Sequence, residues 1–155
     1  MYIAICDDQE KELAALEGLL SAWQKERQHP VRVKIFRNAV DLLDAARREN
    51  FTLYLLDVLM PGMNGMVAAK EIRQFDAAAA LVFLTATPTF AYESYSVHAL
   101  EYLLKPISPK TLYPTALFGG ATAPGRADSK GGQGALPHPL LPAGLRGGQP
   151  QAPVF

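Results

Sequence analysis

Five side chains able to do chemistry stand at the ends of short apolar runs. Asp7 and Asp8 follow YIAIC, Asp57 follows LYLL, Thr85 follows LVFL, and Lys105 follows YLL and precedes Pro106. Clustered carboxylates are hard oxygen donors of the kind that hold a divalent cation. A carboxylate is also a nucleophile that can carry a phosphoryl group as an acyl phosphate, and Asp57 is the candidate for that role. A hydroxyl such as Thr85 and an ammonium such as Lys105 suit the oxygens of the incoming phosphoryl group. None of this works unless the fold gathers the five residues. In an open parallel α/β sheet the C-terminal strand ends converge on one crevice, where ligands bind. Taken singly, the residues have plainer readings: Asp7-Asp8 as a helix cap, Asp57 as a turn, Thr85 as a strand former and Lys105 as a surface charge. Their joint placement at strand ends argues for one pocket.

The elements that must position them alternate along the chain. Strands are predicted at Tyr2–Cys6, Val31–Phe36, Leu53–Leu56, Leu81–Leu84 and Tyr102–Leu104, all short apolar or alternating runs. Leu13, Leu16, Leu20 and Trp23 recur at helical spacing and predict a helix from about Glu10 to Arg27. Asn38 can cap a second helix with Leu42, Leu43 and Ala46 on one side. A third starts near Asn64 or Gly65 and carries Val67, Ile72 and Phe75. A short, tyrosine-rich helix is expected over Phe90–Val97. Apolar runs buried on both faces, alternating with helices, imply a doubly wound five-stranded parallel sheet.

A fifth helix should open with Ser108 as cap and Pro109 in its first turn. Pro114 follows five residues later, where a missing N–H and a ring clash oppose the helix by about 3 kcal/mol. The fifth helix is therefore expected to be truncated or kinked there. From 114 to 155 the composition changes, with nine of the twelve glycines and seven of the twelve prolines. The domain division expected is 1–113 folded and 114–155 a low-complexity tail, disordered or derived from a shifted reading frame. A natural flexible linker is the alternative origin.

Bulk composition excludes more than it assigns. The 155 residues suffice for one ordinary domain, and 15 basic side chains balance 15 acidic ones. Net charge thus gives no support for binding nucleic acid or an anionic membrane. Arg126, Lys130 and Arg146 are too sparse for an electrostatic footprint. Cys6 is the single cysteine, so no internal disulfide forms. The start MYIAICDD lacks a signal-peptide pattern, and a cytoplasmic location is expected.

The ordered set DD, LLDVLMPGMNG, LTA and EYLLKP resembles the receiver domain of two-component response regulators. The stretch FAYESYSVHALEYLLKPI is most similar to the branch that precedes a LytTR-type DNA-binding domain, an output domain expected to be missing from this chain. The resemblance spans Met1 to about Leu112. It implies a flavodoxin-like sheet of order 2-1-3-4-5 and a phosphoryl group accepted on Asp57 from a sensor histidine kinase. It implies Mg²⁺ held by Asp8, Asp57 and the Leu59 carbonyl, with Asp7 acting mainly through water. Such an ion would offset repulsion that, between carboxylates ~4 Å apart, reaches about 1 kcal/mol in water and about 4 kcal/mol at an effective dielectric near 20. Thr85 and Tyr102 would form the switch, and a cis Lys105-Pro106 bond would aim Lys105 inward. A homodimer through the fourth helix and fifth strand is expected to be weak, with Tyr92 and Tyr95 on the same face.

Two alternatives remain at this point. A phosphatase of the haloacid-dehalogenase kind also uses an aspartyl phosphate, but it requires a second aspartate where this chain has Leu59. A non-functional truncated regulator is the other. Gly62 and Gly65 in MPGMNG are expected to supply positive φ; the segment lacks the pattern of a nucleotide-binding phosphate loop. His98 has no partners that imply metal binding or proton transfer.

Overall fold

The computed structural model describes residues 1–116. The expectation of a low-complexity tail lies, beyond residue 116, outside the described residues.

The order is β1 (Tyr2–Cys6), α1 (Glu10–Arg27), β2 (Arg32–Phe36), α2 (Ala39–Arg48), β3 (Leu53–Leu56), α3 (Gly65–Phe75), β4 (Ala80–Thr85), a 3-10 helix (Glu93–Val97) and β5 (Glu101–Leu104). The strands form one sheet in the order β2-β1-β3-β4-β5, every neighbouring pair parallel. Successive side chains point to opposite faces of a strand, so each central strand feeds two cores. Ala4, Cys6, Tyr54, Leu56, Leu81, Phe83 and Tyr102 join Leu42 and Leu43 of α2 and Met66, Ala69 and Ile72 of α3. Ile3, Ile5, Leu53, Leu55, Val82, Leu84 and Leu103 pack with Leu13, Leu16 and Leu20 of α1 and with Leu112. Burial on both faces is why β1, β3 and β4 read as unbroken apolar runs, whereas the edge strand β2 alternates, with Arg32 and Lys34 exposed.

The asparagines start their helices as expected. Asn38 Oδ1 accepts the Asp41 N–H at 2.8 Å, and Asn64 Oδ1 accepts the Val67 N–H at 2.9 Å. In α3 the buried side is Met66, Ala68, Ala69 and Ile72, while Val67 and Phe75 are exposed.

Three expectations need correction. Over Phe90–Val97 only a 3-10 helix of five residues forms, preceded by a turn. Only Ser94 and Val97 in it are buried, too little apolar anchorage to draw the segment into regular α geometry. Secondly, the last helix is not cut short at Pro114: residues 109–116 are all helical. Leu112 and Ala116 are fully buried, and the Tyr113 hydroxyl donates to the Leu19 carbonyl at 3.0 Å. That docking offsets the hydrogen bond which proline cannot make to the Lys110 carbonyl. Thirdly, Gly65 is not at positive φ; among the described glycines only Gly62 is, at 79°. Gly65 is required for space, as its place beside Asp57 shows.

Candidate functional site

Sheet register brings the site together. Cys6 is opposite Leu56, so the next residues, Asp7 and Asp57, emerge side by side. The ladder continues past the strand ends: Asp7 N–H donates to the Phe36 carbonyl at 3.1 Å, Asp57 N–H to Cys6 at 2.9 Å, and Lys105 N–H to Thr85 at 2.9 Å. Backbone bonds thus fix the site residues before their side chains interact.

Asp7, Asp8 and Asp57 offer carboxylate oxygens that all lie within 4.8 Å of one another. Asp7 and Asp57 are buried and Asp8 is half-buried. Opposite them, Lys105 Nζ donates to Asp7 Oδ2 at 2.8 Å and stands 3.6 Å from Asp57 Oδ2 and 3.9 Å from Glu12 Oε1. The Lys105 side chain is only 12% exposed. Burial pushes its pKa down, yet the hydrogen bond to Asp7 and the charges of Asp57, Asp7 and Glu12 outweigh that and raise it. Lys105-Pro106 is cis.

Asp57 has a raised pKa. Burial is the main cause and the Asp7 charge adds to it, against the lowering effects of Lys105, Thr85 and the Leu59 backbone N–H. The Thr85 hydroxyl is fully buried and completes no hydrogen bond of ordinary geometry. Its polarity nonetheless favours the ionised form of Asp57. An unsatisfied buried hydroxyl is costly, and a phosphoryl oxygen would satisfy this one. The neighbouring Cys6 thiol, 3.7 Å from Met60 Sδ, is pushed up to about 12 by burial and is inert.

The residues present fit a hard divalent cation. All three donors are carboxylate oxygens, and an octahedral Mg²⁺ site spans about 4.2 Å between opposite ligands. Both Asp7 oxygens are already engaged, Oδ1 with the Gln9 N–H at 2.9 Å and Oδ2 with Lys105. Asp8 and Asp57 are thereby better placed to give oxygens to an ion.

Tyr102 is buried, its ring 6.0 Å from that of Phe83 and its hydroxyl donating to the Thr87 carbonyl at 2.5 Å. It thus spans β5 and the segment leaving Thr85. Tyr95 packs edge-on against the exposed Tyr92 with centroids 6.0 Å apart. His98 ends the 3-10 helix in the left-handed region at φ 52° and has no part in the carboxylate cluster.

Sequence reasoning missed Gln9, Glu12, Thr87 and the Leu59 N–H. Three of these act through backbone groups, which carry no residue-type signal. Glu12 could have been found as an acid in the first turn of the helix that follows Asp7. It also missed the reason for Gly65. A Cβ there would lie 2.0 Å from the Asp57 carbonyl oxygen, while the Gly65 N–H donates to Val58 at 2.9 Å.

A parallel 2-1-3-4-5 sheet with carboxylates, a threonine and a lysine at its strand ends defines a phosphoacceptor class of signalling domain. The chain belongs to the response regulator receiver domain family, which it matches over residues 3–116. It is a receiver domain of phosphorelay signalling, and the haloacid-dehalogenase alternative is set aside. It is 31% identical to the positive alginate biosynthesis regulatory protein of Pseudomonas aeruginosa, over 72% of this chain and 44% of that protein. It is 33% identical to the sensory transduction protein LytT of Oceanobacillus iheyensis, over 70% of this chain and 43% of that protein. The chain therefore spans less than half the length of these relatives. In fold it is similar to the response regulatory domain of protein mrkE from Klebsiella pneumoniae, with a TM-score of 0.72 at 21% identity, covering 81% of this chain and 99% of that one. Among the described residues no helix is long and apolar enough to cross a membrane.

Proposed function

We propose that Asp57 accepts a phosphoryl group from the phosphohistidine of a sensor histidine kinase. The observation that carries this reading is the buried Asp57 carboxylate set between two further carboxylates and the Lys105 ammonium. An Asp57 oxygen forms a bond to phosphorus as the phosphorus–nitrogen bond of the donor breaks. The released imidazole takes its proton from solvent. Asp8, Asp57 and the Leu59 carbonyl would hold Mg²⁺, with Asp7 behind them. When bound, the ion supplies neutralisation of charge on the phosphoryl oxygens. Lys105 donates to one of those oxygens and Thr85 to another.

Thr85 moving toward the phosphoryl group alters the segment at Thr87, whose carbonyl holds Tyr102. That is a local charge change biasing a packed element. Return to the resting state is hydrolysis, in which water attacks phosphorus and the bond to Asp57 breaks; slow autophosphatase action of this kind is the only enzymatic activity we assign. In this reading the receiver works in the cytoplasm, and no nucleic-acid contact is assigned to residues 1–116. Any homodimer through the 3-10 helix and β5, where Tyr92 and Leu104 are exposed, is weak.

Intact-mass measurement with acetyl phosphate tests the reading. Wild type should gain one phosphoryl group with Mg²⁺ and none in EDTA, and Asp57→Asn should gain none in either. Equal uptake by the two proteins would remove Asp57 from the role.

A further inference from the structure

Below the phosphoacceptor crevice, a single side chain ties two helix ends together. The Arg73 guanidinium donates to four backbone carbonyls: Val97 at 2.7 Å, His98 at 3.1 Å, and Asp76 and Ala77 at 3.2 Å each. Asp76 caps the C-terminus of α3, and His98 caps that of the 3-10 helix. The last carbonyls of any helix lack partners within it and attract a cation. Arginine alone has a rigid fork of five donors able to serve two such ends at once. One turn earlier on α3, Lys70 pairs with Glu93, the first residue of the 3-10 helix, at 2.7 Å. The 3-10 helix is therefore held to α3 at both ends.

The opposite end of α3 rests on the phosphoacceptor. Gly65, its first residue, donates to the Val58 carbonyl and leaves no room for a Cβ against the Asp57 carbonyl. Between Gly65 and Arg73 runs regular α-helix, a stiff rod of about 1.5 Å per residue.

We propose that α3 is a coupling rod, with Arg73 as the positioning residue that makes the 3-10 segment follow movement of the Asp57 backbone. This rests on the phosphoacceptor reading and adds a route separate from Thr85 and Tyr102. The short 3-10 helix has little packing of its own, so its position is set by what α3 does. His98 adopts its left-handed conformation with its carbonyl in the clamp.

The test compares wild type, Arg73→Met, Arg73→Lys and Lys70→Met by hydrogen exchange and by amide NMR, with and without Mg²⁺ and beryllofluoride. In Arg73→Met, exchange at the His98 and Ala99 amides should quicken about tenfold or more, while the α3 amides keep their protection. Arg73→Lys should behave nearly the same, because one ammonium cannot replace a fork over four carbonyls. Lys70→Met should show a smaller effect, confined to the first residues of the 3-10 helix. On addition of beryllofluoride, residues 93–98 should shift in wild type and fail to shift in Arg73→Met, although Thr85 and Tyr102 still respond. An unchanged 93–98 response in Arg73→Met, with Thr85 and Tyr102 responding, overturns the coupling and leaves the phosphoacceptor reading standing. Full restoration by lysine overturns the clamp, leaving only charge at a helix end. A wild type that responds nowhere overturns both readings.

Discussion

Three glycines in this chain should answer the same substitution in three different ways. Gly18 lies exposed in the middle of α1, where an added Cβ would meet nothing within 4 Å. Alanine there should stabilise the fold by about 0.5–1 kcal/mol through helix propensity. Gly62 also has open space, but its φ of 79° strains any L side chain. Alanine at that position costs about 1–2 kcal/mol in the folded state and recovers part of this by stiffening the unfolded chain, a net loss of about 1 kcal/mol. At Gly65 a Cβ would meet the Asp57 carbonyl oxygen at 2.0 Å and the carbonyl carbon at 2.9 Å. Relief needs a shift of about 1 Å in backbone that is bonded through the Asp57 N–H to Cys6. Overpacking typically costs about 1–3 kcal/mol, and with no flexible side chain to yield, Gly65→Ala belongs at the upper end. A ~1 Å misplacement of a reacting group can also cost about a hundredfold in rate. Urea unfolding in EDTA should rank the proteins Gly18→Ala, wild type, Gly62→Ala, Gly65→Ala, over a span of about 4 kcal/mol. Phosphorylation by acetyl phosphate should be slowed only in the last. A Gly65→Ala protein as stable and as reactive as Gly62→Ala would refute the close approach of α3 to Asp57.

Removing Lys105 leaves Asp7 and Asp57 buried without their cation, so Lys105→Met should lower metal-free stability by about 3 kcal/mol. Mg²⁺ should then raise the melting temperature of this variant more than that of wild type, by thermal melts with and without EDTA. Asp57→Asn should do the opposite and stabilise the metal-free protein, since burial and Asp7 raise the Asp57 pKa. The sign follows from linkage: a carboxyl with a raised folded pKa costs stability when ionised, so the advantage of asparagine should shrink as pH falls through that pKa. Denaturation at a series of pH values checks both size and sign. Tyr102→Phe should cost about 1 kcal/mol through loss of the bond to the Thr87 carbonyl, measured by urea unfolding.

Much of the fold was legible because the central strands β1, β3 and β4 are apolar runs that end at a polar residue. Cys6–Asp7 and Leu56–Asp57 carry that pattern in four or five letters. Asn38 and Asn64 were readable as caps because capping is a local bond between a side chain and an N–H three residues on. The 3-10 helix was not legible, since whether Phe90–Val97 forms a full helix depends on tertiary anchorage that a tyrosine-rich sequence does not disclose. Pro114 misled for a similar reason: its local penalty is real, but burial of Leu112 and Ala116 is a long-range effect. In the candidate site, Asp7, Asp8, Asp57, Thr85 and Lys105 could be proposed from type and place alone. Gly65 and Arg73 were not, because one acts by lacking a Cβ and the other by bonding backbone carbonyls distant in sequence.

The most direct measurement on the central claim is chemical location of the acyl phosphate. After incubation with acetyl phosphate and Mg²⁺, borohydride reduces an aspartyl phosphate to homoserine, which peptide mass mapping places along the chain. Homoserine at position 57, absent when EDTA replaces Mg²⁺, is the expected result. Homoserine at position 7 or 8 instead, or its formation at 57 regardless of Mg²⁺, would contradict Asp57 as the metal-assisted phosphoacceptor.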